Sequence, residues 1–335
     1  GATLDLNNVT VGAEALTLAG GTLKDVTSSL AGDITLTANS IFTATNVGDT
    51  LTLSGVISGT GYGITKNGNG TLVLSGANSY TGTTTVSVGT LTVTGSLSDS
   101  TAVTVASGAT YNVNASDTVG SIAGAGTITT TASSGPITLT AGNDGTSTTF
   151  SGALQDGTNA TLALTKVGAG TLTLSGANTY TAGTTISAGT LALGANNVLA
   201  NTGAVSVSGG TFAIGSYSDT VGDVTLTSGS ITGTTGVLTG SSYSVTNSSG
   251  NTTISAILAG SGGLTKTGNG TLTLSGTNTY DGVTAVNAGA LVVTNNSGLG
   301  STVGGTTVAS GATLDLNNVT VGAEALTLAG GTLKD

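Results

Sequence analysis

The chain has 335 residues, of which 5 are Lys and 15 are Asp or Glu, giving a formal charge of −10 with only 6% of positions charged. His, Cys, Met, Trp and Arg are absent, while 57 Gly and 71 Thr fill 128 positions between them. Imidazole bases, thiolates, disulfides, zinc cages and bidentate phosphate clamps are thereby excluded, and an acidic chain with five scattered lysines repels nucleic acid.

In chain order, the first feature is a copy. Gly1 to Asp25 reads GATLDLNNVTVGAEALTLAGGTLKD, and Gly311 to Asp335 repeats all 25 letters at a period of 310 residues. Such identity implies recent duplication, so residues 1–310 are expected to be one full tandem module and residues 311–335 the start of the next. The expected solenoid is then uncapped at both ends, with targeting and anchoring segments lying outside this sequence. No apolar run is long enough to span a bilayer, so no membrane insertion by this segment is expected.

The next block sets the fold. Apolar residues alternate at Leu72 and Leu74, near Val86 and Val88, and at Leu91 and Val93, with Gly76, Gly82 and Gly89 at the breaks. Leu72 and Leu91 lie 19 residues apart. Short strands of period two, bounded by Gly and recurring about every 20 residues, predict an all-β chain wound as a parallel β-solenoid of roughly 15 coils per module. The abundant Gly and β-branched residues disfavour helix, and the one proline, Pro136, suits long ladders in which nearly every amide must donate.

Further along, the block from Lys66 to Tyr80 recurs from Lys166 to Tyr180 and from Lys266 to Tyr280, 100 residues apart both times. A companion block starts at Val105, Val207 and Val308, and the first two copies are followed by Asp-Thr-Val-Gly at Asp117 and Asp219. Three subrepeats of about 100 residues therefore make one module.

Each block ends in a polar and aromatic turn motif: Gly76, Asn78 and Tyr80; Gly176, Asn178 and Tyr180; Gly276, Asn278 and Tyr280. The expected role is structural, with Asn capping a turn and the ring covering a strand edge at a corner. Lys66, Lys166 and Lys266 suggest a Ser/Lys dyad only superficially, because no base or oxyanion motif accompanies them. They are expected on the solvated outer face. Carboxylates occur singly, apart from Asp219 and Asp223, which disfavours the paired acids of glycoside hydrolysis. The Gly-Gly-x-Gly-x-Asp calcium nonapeptide is missing. Thr-x-Thr pairs at Thr35, Thr138 and Thr225 would suit an ice-binding face if every coil carried one; otherwise they are what an uncharged solvated strand uses. No catalytic, cofactor-binding or metal-binding residue is assigned, and no cofactor is expected.

The segments Gly68 to Val93, Gly168 to Leu193 and Gly268 to Val293 resemble the autotransporter-associated β-strand repeat, whose pattern is GxGTLxLSGxNTYxGxTxVxxGxLxV. The resemblance implies a right-handed parallel β-helix in the passenger region of a Gram-negative autotransporter or a very large bacterial surface protein. It also implies secretion to the cell surface, and in some members assistance to the passenger's own export and folding. The expected function is a non-enzymatic structural module of a giant extracellular protein: a stiff fibre, stalk, spacer or biofilm-matrix element. Its partners are adjacent identical modules, with room for lateral rod-against-rod packing. The alternative is an adhesin passenger domain binding carbohydrate or another cell.

Overall fold

The computed structural model describes residues 1–335 and contains forty strands and no helix, so no helix is available to cross a membrane. The chain divides into two compact units, Gly1–Ala182 and Gly183–Asp335. Each is a parallel β-solenoid in its own right.

In the first unit one wall is built from Thr50–Leu53, Thr71–Leu74, Thr90–Val93, Thr110–Val113 and Thr127–Thr129, each strand parallel to the next. The register aligns Leu51, Leu72, Leu91, Tyr111 and Ile128 in one buried column and Leu53, Leu74, Val93 and Val113 in another. Neighbours in the first column are 17 to 21 residues apart, one turn of chain. The threonines that begin the first four strands are half-buried in a column of their own, since their β-branched side chains suit a pleated surface without adding charge. A second wall stacks Thr22–Asp25, Ser40–Ala44, Ile64–Asn67, Thr84–Val86 and Ala102–Val105, and aligns Leu23, Phe42, Lys66, Val86 and Val105. Leu16–Ala19, Ile34–Ala38 and Ile57–Ser58 form a third.

The second unit follows the same rule with different corners. Val205–Gly215 and Asp223–Gly233 are long strands that keep pairing around a bend, with register shifts after Val207, Ser208 and Ala213. Beyond them the coils separate into Ser242–Val245, Leu264–Lys266, Thr284–Val286 and Thr306–Ala309 on one wall. Asn251–Ile254, Thr271–Leu274, Ala290–Val293 and Thr313–Asp315 make another. Ile231, Ile254, Leu274 and Val293 form a buried column, as do Leu272, Leu291 and Leu314.

Every strand-to-strand pairing resolved in either unit is parallel; the one antiparallel contact is an isolated bridge between Ala309 and Gly330. Each inward Leu, Val or Ile is covered by its counterparts in the coils before and after it, at about 1.5–3 kcal/mol per large side chain removed from water. Because a coil cannot cover its own core alone, stability accumulates as nearest-neighbour terms. One local expectation differs: Val88 does not extend the strand at Val86 but sits in the following turn, 38% exposed.

Candidate functional site

The three recurrent blocks place their polar residues inward, at the corners. Asn78 follows the strand Thr71–Leu74 and has its side chain buried. Its Oδ1 accepts the Ile57 amide of the preceding coil at 3.0 Å, while Nδ2 donates to Gly76 O at 3.0 Å and to Ser96 O of the following coil at 2.9 Å. One amide group thus joins three successive coils. Asn178 accepts the Leu154 amide at 2.7 Å and donates to Gly176 O at 3.0 Å. Asn278 accepts the Leu258 amide at 2.9 Å and donates to Gly298 O at 2.7 Å.

The glycines two residues earlier are required by close approach of the backbones. A Cβ on Gly76 would lie 2.3 Å from Gly55 O, on Gly176 1.8 Å from Gly152 O, and on Gly276 2.3 Å from Ala256 O.

Tyr80, Tyr180 and Tyr280 do not cover a strand edge. They are buried, at 0%, 1% and 0% exposure. The Tyr80 and Tyr280 hydroxyls each share a 2.6 Å hydrogen bond with the hydroxyl four residues on, of Thr84 and Thr284. Thr101 donates to Tyr80 O at 2.8 Å, and Thr284 to Leu299 O at 3.0 Å, which ties the ring's corner to the next coil. Burial pushes both phenols far up, and Tyr243, which lies 6.0 Å from Tyr280 between ring centres, is pushed to about 12 for the same reason.

The structure overturns the expectation for the lysines. Lys66, Lys166 and Lys266 have no exposed surface. In Ile64–Asn67 the side chains alternate in, out, in, out, so Ile64 facing the core places Lys66 there too. Its stem lies in the apolar column between Phe42 and Val86, and its ammonium donates to Asn67 O at 2.9 Å, Gly68 O at 2.7 Å and Val88 O at 3.1 Å. Three N–H groups meet three carbonyls of the turning backbone. Lys166 donates to Val167 O at 2.6 Å and Gly168 O at 2.9 Å, and Lys266 to Gly268 O and to Ala288 O at 3.3 Å. Burial lowers all three, Lys66 to about 8, while the Asp144 carboxylate pulls Lys166 back upward.

Asp117 and Asp219 take the place of the corner Asn in the intervening coils, a role the sequence does not reveal. Asp117 Oδ2 accepts the Leu97 amide at 2.8 Å; Asp219 Oδ2 accepts the Val198 and Leu199 amides at 3.0 and 2.9 Å. Burial raises Asp117 to about 6 against the pull of its amide donors and with help from Asp99, and burial raises Asp219 as well. The one signal available is spacing: Asp117 lies 39 residues after Asn78, two coils away. Asp99, Ser116, Asp117, Thr118, Thr138 and Thr140 line an open groove of about 260 Å³ on this side. No three carboxylates gather in a metal-holding group.

These corners consume their polar groups in bonds within the chain. The Lys66 ammonium spends its three protons on carbonyls of the chain, and the Asn amides are occupied on both ends. The arrangement is that of a repeat unit of a parallel β-solenoid. Residues 64–93, 164–193 and 264–293 match the model of the passenger-associated-transport-repeat family, and each match begins in the strand carrying the buried lysine. The chain is also similar to the adhesin BmaC autotransporter of Brucella suis biovar 1 (strain 1330), with 34% identity over 305 residues. That alignment covers 86% of this chain and 9% of the relative, so the chain spans less than a tenth of its length. No solved structure matches the chain.

Proposed function

We propose that this chain is a module of a passenger region displayed outside the cell at a bacterial surface, and that its work is structural. It lengthens and stiffens a stalk, surface filament or matrix fibre that holds other parts of the protein away from the membrane. The observation that carries this reading is the fate of the recurrent polar residues. Lys66, Asn78, Tyr80 and their counterparts are buried, and the partners resolved for them belong to the chain itself, to their own or adjoining coils. Such residues support winding and not turnover, and the reading is accordingly non-enzymatic. The low charge of the outer walls leaves room for lateral packing of one stack against another.

The second reading is an adhesin segment that itself contacts carbohydrate or another cell. It is supported by the description of the Brucella relative as an adhesin. Varying module number on displaying cells separates the two. A spacer should move a terminal epitope outward in equal steps per module with no change in binding to target cells. A steep rise in cell binding with each added module would instead favour the adhesin reading, since linked weak sites multiply avidity.

A further inference from the structure

Asn-Gly occurs three times in the chain, at Asn67, Asn69 and Asn269. In this pair the asparagine side chain is open to attack by the amide nitrogen that follows it, because glycine puts no Cβ beside that nitrogen. The three pairs have different surroundings. The Gly70 amide donates to Ala44 O and the Gly270 amide to Asn247 O, each at 3.0 Å, so both nitrogens are committed to the main chain of the preceding coil. The Gly68 amide instead donates to the side chain it would attack, at 3.0 Å to Asn67 Oδ1, from a backbone with a φ of 77°.

The buried lysine also singles out the first pair. The carbonyl of the Asn67–Gly68 peptide accepts the Lys66 ammonium at 2.9 Å. Removing the proton from the Gly68 nitrogen puts negative charge on that same carbonyl oxygen, where the cation already sits. The lone pair left behind points where the N–H pointed, toward the Asn67 amide group. Asn67 itself is exposed, so water reaches it.

We propose that Asn67–Gly68 is a self-modifying site, at which the Lys66 ammonium promotes ring closure of Asn67 and its conversion to a carboxylate. Hydroxide takes the Gly68 proton, the nitrogen bonds to Asn67 Cγ, and the Cγ–Nδ2 bond breaks as ammonia leaves with a proton from water. Water then opens the cyclic imide at either carbonyl. One opening leaves aspartate; the other leaves isoaspartate, which adds a methylene to the main chain at this corner. The sum is one amide and one water giving one carboxylic acid and ammonia, with nothing oxidised or reduced. Each event adds one negative charge to an already acidic chain. The site serves a spacer and an adhesin alike, and does not depend on which reading of function holds.

The test follows the 335-residue chain at neutral pH, measuring ammonia release and, by peptide mapping, the gain of one mass unit at each asparagine. In the native chain Asn67 should convert at least about 10-fold faster than Asn69 and Asn269, because a donor aimed at a developing oxyanion is worth at least that much. In urea the three should converge on one rate. Two transplants separate the ammonium from the bare sequence. Lys166 donates to Val167 O at 2.6 Å, beside Gly168 with a φ of 65°, whereas Lys266 donates to Gly268 O and Ala288 O. Val167→Asn should therefore create a second fast site and Thr267→Asn a slow one, although both place Asn before Gly at the same point of the repeat. Equal native rates at Asn67, Asn69 and Asn269, an order that survives in urea, or equal rates at the two transplanted positions would overturn the proposal.

Discussion

A lysine buried in a column of Phe and Val is costly unless all its protons are used, and the three carbonyls around the Lys66 ammonium use them. Lys66→Met keeps the stem and removes the donors of those three hydrogen bonds. It should destabilise the surrounding coils by about 1–3 kcal/mol, seen as faster hydrogen exchange in residues 64–70 and 84–90. Asp117 gives the opposite sign. Its folded-state pKa of about 6 stands above the ordinary 3.8, so the folded chain holds the proton more tightly and gains stability as pH falls from 6 to 3.8. Asp117→Asn installs the neutral group already used at Asn78. The variant should melt higher than the parent at pH 8, and the gap should close by pH 4; a gap that widens on acidification would refute the assignment.

At the scale of the element, the walls of the coil are legible because alternation, Gly breaks and a period near 20 each report a different feature of the same winding. Leu72, Leu74, Leu91 and Val93 face the core as the alternation requires. The corners are not legible in the same way. Residue type sends Lys66 to solvent, although its parity with Ile64 points inward; charge outweighs alternation in such a reading, and the carbonyls awaiting the ammonium leave no mark on the sequence. Tyr80 likewise reads as a surface turn residue until the following Thr84 is seen to share its hydroxyl bond. Two paired substitutions test these corners in urea titrations. Tyr80→Phe should lose about 1 kcal/mol by leaving a buried hydroxyl unpaired, while Tyr111→Phe should be neutral or stabilising, because the Tyr111 hydroxyl is buried with no hydrogen-bond partner. Gly176→Ala forces a methyl against Gly152 O and should cost at least about 1–3 kcal/mol, whereas Gly145→Ala, with open space around it and only an unfavourable φ of 71° to bear, should cost less.

Over the whole molecule the three family repeats share one grammar: lysine on the first wall strand, an aliphatic pair on the next, asparagine and tyrosine at the corner that follows. The inward placement of the lysines has an outcome for survival among secreted enzymes. Trypsin-like proteases need a lysine or arginine on a strand they can lift into their cleft. The chain has no arginine, and three of its five lysines are locked inside the ladder, which leaves Lys24 and Lys334 within reach. The native protein incubated with trypsin should therefore be trimmed at most at Lys24, whose strand is paired on both sides, and at Lys334, leaving residues 25–334 whole on a gel, while the denatured chain is cut at all five. A molecule posted outside the cell would, by this arrangement, hide its own cleavage signals in the wall that holds it up.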